Sequence, residues 1–242
     1  MNSELLRGLT DVHGPFASVY LPPDAGGPGW LFLRRLLAAQ DADPEVLAVL
    51  DEAMRRPAAA EGRALIANRE GVLVDGPLSW SPPSPVARFS ALPYLLPLVR
   101  KQAVHAPEAA LVAAGPAGQD TVGPPPDRSR VLFDQFLFES SRPDGPVVQG
   151  LGHCAAALRD GNADAVVLVE GVLGGESVWV GGTHRDQVAQ ECAELRALGM
   201  PANRQRADEA LPMAALKVDA ELLVGPADLP LADGVGVLLR HP

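Results

Sequence analysis

The sequence predicts a mixed α/β fold made of two small α/β domains. A stretch rich in proline and glycine near the middle, GPAGQDTVGPPPD (115–127), disfavours both helix and strand. On either side of it, apolar residues recur at helical and at strand spacing. A chain of 242 residues also suits two units of roughly 100 residues each. We therefore expect domains at 1–114 and 128–242, with 115–127 as a flexible linker.

The first domain is expected to mix helices with strands. Ser3 as N-cap predicts a short helix over 3–9, and the alternation in FASVYL predicts a strand over 16–21. The later elements follow from apolar spacing and turn residues: helices at 30–39 and 44–54, a hairpin of strands at 62–68 and 71–76, the segment VARFSAL at 86–92, a short helix at 93–100 and a strand at 108–114.

The second domain is expected to be a three-layer α/β sandwich. ADAVVLV (163–169) is an almost continuous apolar run, which is typical of a buried central strand. Helices and strands alternate around it. The expected helices are 129–139, 147–159, about 185–198 and about 207–216, and the other strands are 177–180, 220–224 and 235–240.

The charge balance argues against sequence-independent binding to nucleic acid. The formal net charge is −10, whereas binding to a phosphate backbone depends on many Lys and Arg side chains. No DNA partner is therefore expected, and contact with RNA would need a local basic face. The candidates are pairs that we interpret as solvated helix faces and ends: Arg34 with Arg35, Arg55 with Arg56, Arg100 with Lys101, Arg128 with Arg130, and Arg204 with Arg206.

Nothing in the sequence predicts export or a membrane anchor. The N-terminus lacks a basic region followed by an apolar one, and no stretch approaches the ~18 apolar residues of a membrane span. We expect a cytoplasmic protein without a membrane partner. In a reducing compartment Cys154 and Cys192 are then expected to be buried free thiols.

No catalytic, cofactor-binding or metal-binding residue can be assigned from the sequence. His153 and Cys154 are adjacent on a predicted helix and so point about 100° apart, which prevents simple joint ligation. His184 and Cys192 stand at no standard metal spacing, and a Cys–His nucleophile is left as a minor alternative. The glycines of GVLGGESVWVGG (171–182) lack a phosphate-binding motif and are interpreted as turns.

Several segments together resemble the bacterial archaeo-eukaryotic release factor and Pelota-like family, in the actinobacterial group related to the hibernation factor Balon. The likeness covers most of the chain outside the linker. In the first domain it rests on GPFASVYL (14–21), EGRALIANREGVLVDGPL (61–78) and ALPYLLPLVRKQAVHAPEAALVA (91–113). In the second it rests on 131–169, VWVGGTHRDQVA (178–189), RADEALPMAALKVDAELLV (206–224) and LADGVGVLLRH (231–241).

The resemblance implies that 1–114 is similar to the family's N-terminal domain and 128–242 to its C-terminal, L7Ae/L30e-like domain. Members carry a central domain between the two, which in true release factors bears a Gly-Gly-Gln loop. This chain lacks that domain. Ala117, Gly118 and Gln119 come within one residue of the motif, but a linker would not hold the glutamine in place for hydrolysis.

The function implied is non-enzymatic. The leading hypothesis is a truncated, release-factor-like protein linked to ribosomes, translation stress or hibernation, with the ribosome or a translation-associated protein as its partner. The alternative is a protein-interaction module of the same fold that no longer binds ribosomes. An enzyme using His153, His184 or Cys192 is the third and least favoured hypothesis.

Overall fold

The computed structural model describes residues 3–23, 27–56, 62–78, 80–100, 127–182 and 187–241. It confirms a mixed α/β fold in which each half of the chain has its own sheet. Apart from Asp127, the expected linker at 115–127 lies outside the described residues, as does the strand expected at 108–114. None of the helices within the described ranges is long and apolar enough to cross a membrane.

The first half contains a four-stranded antiparallel sheet. Its strands are β1 (Phe16–Leu21), β2 (Arg63–Asn68), β3 (Gly71–Pro77) and β4 (Val86–Ser90), in the spatial order β3-β2-β1-β4. Its helices are α1 (Ser3–Gly8), α2 (Gly27–Ala39), α3 (Pro44–Ala53) and α4 (Leu96–Val99). The expected helices at 30–39 and 44–54 and the expected hairpin are confirmed.

Strand β1 is buried on both of its faces. Ala17, Val19 and Leu21 pack with apolar side chains of α2 and α3. On the other face, Phe16 and Tyr20 belong to a second apolar cluster. Successive side chains of a strand point to opposite faces of the sheet, so β1 must be covered by two different layers.

The second half is a three-layer sandwich, as expected. Its main sheet has the order β10-β6-β11-β5, with β6 (Ala163–Val169) in the interior. The other strands of that sheet are β5 (Val147–Gln149), β10 (Glu221–Gly225) and β11 (Val235–Leu239). Helix α5 (Arg128–Ser140) covers one face, and α6 (Leu151–Arg159) and α8 (Ala207–Lys217) cover the other. A smaller sheet, β8-β7-β9, consists of β7 (Ser177–Gly181), β8 (Val188–Ala189) and β9 (Ala202–Arg206).

The bounds predicted for the helices at 147–159 and 185–198 were wrong in part. The helix expected over 147–159 begins only at Leu151, because Gly150 takes φ +86° and the preceding residues pair with β11 as β5. The Asp233 carboxylate accepts a hydrogen bond from the Leu151 N–H at 3.0 Å and so helps to fix the start of α6.

The helix expected at 185–198 is also shorter than the spacing suggested. Residues 188–189 form β8, and the described helix is α7 (Cys192–Ala197). The Glu194 carboxylate accepts the Glu191 N–H at 3.1 Å, which fixes the start of this helix. Strand β9 was not expected, because its sequence ANRQR is polar and only partly buried and therefore lacks an apolar alternation.

The two halves pack directly against each other, a point that the sequence left open. One apolar cluster includes Phe16 and Tyr20 from the first half and Leu211 and Val224 from the second. Helix α4 contacts both α8 and β10, and α1 contacts α8. The face of the first sheet that α2 and α3 leave uncovered is therefore closed by the second half.

Candidate functional site

A group of buried and partly buried charged side chains lies where the two halves meet. We call it the interface cluster; its members are Arg88, Tyr94, Glu170, Arg206, Asp208 and Glu209. Asp208 and Glu209 occupy the first turn of α8, where a helix favours negative charge. Their side chains are 3% and 1% exposed, so both acids need partners within the protein.

Arg88 supplies the link across the interface. It lies on β4 opposite Ser18 of β1, and Nη1 donates to Asp208 Oδ2 at 2.8 Å. The same nitrogen lies 3.5 Å from Glu209 Oε1. Because the arginine comes from the first half and both acids from the second, this ion pair joins the halves directly.

A second arginine holds Asp208 from its own side of the interface. Arg206 Nε donates to Asp208 Oδ1 at 3.0 Å and Nη2 donates to Oδ2 at 3.1 Å, which is a two-point contact. Arg206 Nη2 also donates to the carbonyl of Gly174 at 2.7 Å. The hydrogen bond to Asp208 raises the pKa of Arg206. Asp208 thus sits between two guanidinium groups, which offset the cost of burying its charge.

Aromatic rings line the cluster. The guanidinium of Arg88 lies over the ring of Tyr94, 3.5 Å from its centroid, in a cation–π contact. The Tyr20 hydroxyl donates to the Tyr94 carbonyl, and the two rings meet edge to face. Tyr94 Oη donates to Glu170 Oε1 at 3.4 Å, and Arg100 lies 3.4 Å from the other oxygen of Glu170. Burial raises the pKa of both tyrosines, so their hydroxyls remain protonated donors.

Glu209 is the one acid of the cluster with an incomplete set of partners. Among the described residues, its Oε2 atom is the one buried side-chain polar atom without a hydrogen bond. Burial raises the pKa of Glu209, against the opposing effect of the Ser90 hydroxyl beside it. The single hydroxyl proton of Ser90 can be donated either to the Leu92 carbonyl, at 2.7 Å, or to the Glu209 carboxylate, but not to both at once.

The residues that the sequence singled out do not form a common site. His153 is exposed, whereas Cys154 is buried and its thiol faces the carbonyls of Val148 and Val235. Burial raises the pKa of Cys154 to about 12, which makes the thiol a poor nucleophile. Both cysteines are free, but Cys192 is only half-buried, so the expectation of burial was wrong for it.

Metal binding finds no support in the described part of the chain. Within it, no group of three or more His, Cys, Asp or Glu side chains is placed to hold a metal ion. His184, one of the considered ligands, lies outside the described residues, as does the Ala117-Gly118-Gln119 motif.

The arginine pairs are mostly neutralised by acids. Of the nine described members, six contact a carboxylate: Arg34, Arg55, Arg56, Arg100, Arg128 and Arg206. Arg204 instead donates to the Ser177 hydroxyl. The pairs therefore do not add up to a basic face that would attract a phosphate backbone.

The glycine-rich segment 171–182 serves turns around a strand, as interpreted from the sequence. Gly171 has φ +96°, a short 3-10 turn covers Leu173–Gly175, and β7 follows. The segment also has a role that sequence reasoning missed, since the Gly174 carbonyl accepts Arg206 of the interface cluster. The one sequence signal for the interface cluster is Arg88, a single charge within the strand sequence VARFS, and this signal does not identify a partner.

Helix α2 presents large apolar side chains to solvent. We call Leu31, Phe32 and Leu36 the α2 apolar face; they are exposed by 58%, 63% and 38%. The opposite side of α2 carries Leu33 and Leu37, which are fully buried. A cluster of exposed apolar side chains on one helix is typical of a protein-binding surface.

Two uncharacterized proteins of Mycobacterium tuberculosis are similar to this chain: MT2704 of strain CDC 1551 / Oshkosh and Rv2629 of strain ATCC 25618 / H37Rv. Each is 29% identical over 366 aligned positions, which take in 100% of this chain and 97% of the relative. No family model matches the chain. The alignment is 124 positions longer than the 242 residues of this chain, so the relatives contain a substantial amount of sequence that this chain lacks.

Proposed function

We propose that this chain is a non-catalytic, release-factor-like protein that lacks the central domain and associates with ribosomes under translation stress. The observation that carries the proposal is the surplus of 124 aligned positions in relatives that otherwise match the whole chain. A surplus of this size suits one small domain. The family resemblance calls for such a domain between the two halves.

The interface cluster supports a binding role rather than a catalytic one. Asp208 is occupied by Arg88 and Arg206, and Glu170 by Tyr94 and Arg100. These groups are engaged in holding the halves together. In this proposal the protein presents two lobes in a fixed arrangement, without a positioned nucleophile or base.

The surface favours contact with protein over contact with bare RNA. The net charge is −10, and most of the arginine pairs are already bound to acids. The α2 apolar face instead offers Phe32 and Leu31 to a protein partner. We therefore expect a ribosomal or translation-associated protein to be contacted through α2.

The test measures binding of the purified protein to purified ribosomes by sucrose-gradient sedimentation. Phe32→Ser is expected to weaken binding at least tenfold, because it removes the aromatic ring and the most exposed side chain of the α2 apolar face. Phe138→Ser is the matched control: Phe138 is also 63% exposed, but it lies on α5. Equal binding by both variants, or no binding by the wild type, would contradict the proposal.

A separate assay tests the proposal that the protein is not a catalyst. Ribosomes carrying peptidyl-tRNA are expected to release peptide at the same rate with and without the protein. A stimulation of release that depends on Gln119 would overturn this part of the proposal.

A protein-interaction module that does not bind ribosomes is the second candidate. The α2 apolar face supports this candidate as well, because an exposed apolar surface can bind a ribosomal or a non-ribosomal protein. Cross-linking from residue 35, beside the α2 apolar face, separates the two candidates. Cross-links to ribosomal proteins support the first, and cross-links to one non-ribosomal protein support the second.

A further inference from the structure

Within the described ranges, the two edge strands of the first sheet differ in whether their outward-pointing backbone groups have hydrogen-bond partners. At the β4 edge, the side-chain amide of Gln40 takes the place of a neighbouring strand. Gln40 Oε1 accepts the Phe89 N–H at 2.8 Å, and Nε2 donates to the Ala87 carbonyl at 3.3 Å. This edge is closed from within the protein.

The β3 edge has no comparable partner among the described residues. The Leu78 N–H donates to the Gly62 carbonyl at 2.9 Å, and Asp75 stands opposite Leu65 in the same ladder. Since hydrogen-bonded pairs alternate in an antiparallel ladder, the N–H and C=O of Asp75 point away from β2. Asp75 is an exposed residue although its side chain is only 21% exposed, so its exposure lies largely on the backbone.

A groove runs beside this open edge, between α3 and β3. Its volume is about 650 Å³. The lining is apolar along most of its length and charged toward the C-terminal end of α3. The lining residues are Ala48, Val49, Glu52, Ala53, Arg56, Val72 and Asp75.

The charged end of the groove offers a positive group. The Asp75 carboxylate is already held by the buried Arg63, at 2.8 and 2.9 Å. The hydrogen bond from Arg63 holds the pKa of Asp75 below its ordinary value, so the acid stays ionised. Arg56 reaches the same carboxylate only at 3.4 Å and is 72% exposed. Glu52 is occupied by Arg55.

We propose that the open edge of β3 and the α3 groove together bind an extended peptide segment of a partner protein. The segment adds a fifth strand to the sheet by pairing with the backbone of Asp75. One of its side chains enters the groove against Val49 and Val72. An acidic side chain, two residues away on the same face, pairs with Arg56.

This peptide site is independent of the ribosome proposal, since it uses a different surface from the α2 apolar face. The unpaired backbone groups point to a peptide rather than a small molecule. Because Arg56 is exposed and positively charged, we expect the peptide to carry an acidic residue. A strand without an acidic residue would leave Arg56 with only the Asp75 carboxylate that Arg63 already holds.

The test begins with a display library of seven-residue peptides selected on the full-length protein. Enriched peptides are expected to carry an apolar residue two positions from Asp or Glu. Their labelled synthetic copies are titrated by fluorescence anisotropy. Hydrogen exchange at Asp75 is expected to slow at least tenfold on binding, and exchange at β4 to stay unchanged.

Three variants test which residues contact the peptide. Val72→Lys and Arg56→Glu are each expected to weaken binding at least tenfold, and Arg56→Glu to recover it when the acidic residue of the peptide is changed to Lys. Arg35→Glu, an exposed change on α2, is the control and leaves binding unchanged. The proposal is overturned if no peptide is enriched, if Val72→Lys binds as wild type, or if the protected edge proves to pair with a second copy of the chain.

Discussion

At the residue scale, the neighbouring acids Asp208 and Glu209 lie in one helical turn but differ in the hydrogen-bond donors that reach their carboxylate oxygens. Asp208 meets two arginines, whereas Glu209 Oε2 meets no hydrogen-bond donor within the described structure. A buried carboxyl group that has one oxygen without a donor is less well compensated when it is ionised, which favours its neutral form. Burial accordingly raises the pKa of Glu209.

Glu209→Gln should change how stability depends on pH. Because the pKa of Glu209 is raised in the folded protein, the folded state binds more protons than the unfolded state above the ordinary pKa of 4.5. The wild type then loses stability as pH rises through the raised pKa. Glutamine carries no such penalty, so the variant should gain about 1–3 kcal/mol relative to wild type between acid and neutral pH.

Urea unfolding at a series of pH values measures this difference. Glu70→Gln, at an exposed turn between β2 and β3, is the control and should leave the pH profile unchanged. If the free energy of unfolding depends on pH in the same way for the wild type and Glu209→Gln, ionisation of Glu209 does not destabilise the folded protein, and the prediction is wrong.

At the element scale, helix α5 owes its position to one close approach. A Cβ atom at Gly236 of β11 would lie 2.5 Å from the ring of Phe136, closer than such atoms can come. Phe136 is fully buried between α5 and the sheet. The absence of a side chain at Gly236 therefore lets α5 settle against the sheet.

Gly236→Ala should destabilise the protein by about 1–3 kcal/mol, because the added methyl group overpacks this contact. Phe136→Leu makes room, so the double variant should lose less than the sum of the two single changes. Denaturant unfolding of the four proteins gives the coupling energy. Strict additivity would mean that the cost of Gly236→Ala does not arise from contact with the Phe136 ring.

The elements also show how far the sequence alone reaches. The run at 163–169 was confirmed as an interior strand because both of its faces are apolar. Strand β5 was read as part of a helix, since three residues are too few to show a period and Gly150 alone marks the break. The interface cluster could not be found this way, because Arg88 and Asp208 lie 120 residues apart. Only the fold brings them together.

At the scale of the whole molecule, the two halves are joined by a buried core and by ion pairs of two kinds. At the rim, Lys217 binds Asp11 at 2.7 Å and Arg7 binds Asp219 at 3.0 Å, in exposed positions where such pairs stabilise little. At the centre, Arg88 and Asp208 are largely withdrawn from water. We therefore expect the central pair to control whether the halves stay docked.

Arg88→Met should destabilise the protein by up to about 3–5 kcal/mol, because it leaves buried carboxylates without their partner from the first half. Hydrogen exchange should rise in β4 and α8 together. A double-mutant cycle with Asp208→Asn should give a coupling of about 0.5–3 kcal/mol. The surface pair of Arg128 and Asp164 is the control, with an expected coupling of about 1 kcal/mol or less. Additive effects at Arg88 and Asp208 would mean that the apolar core alone docks the halves.

The proposed function requires that two docked halves without a central domain associate with ribosomes. The most direct measurement is the distribution of the tagged protein across a ribosome gradient from growing, stationary and stressed cells. We expect the protein to move with ribosomal particles, and more so in stationary and stressed cells. Absence of the protein from every ribosomal fraction under all three conditions would contradict it.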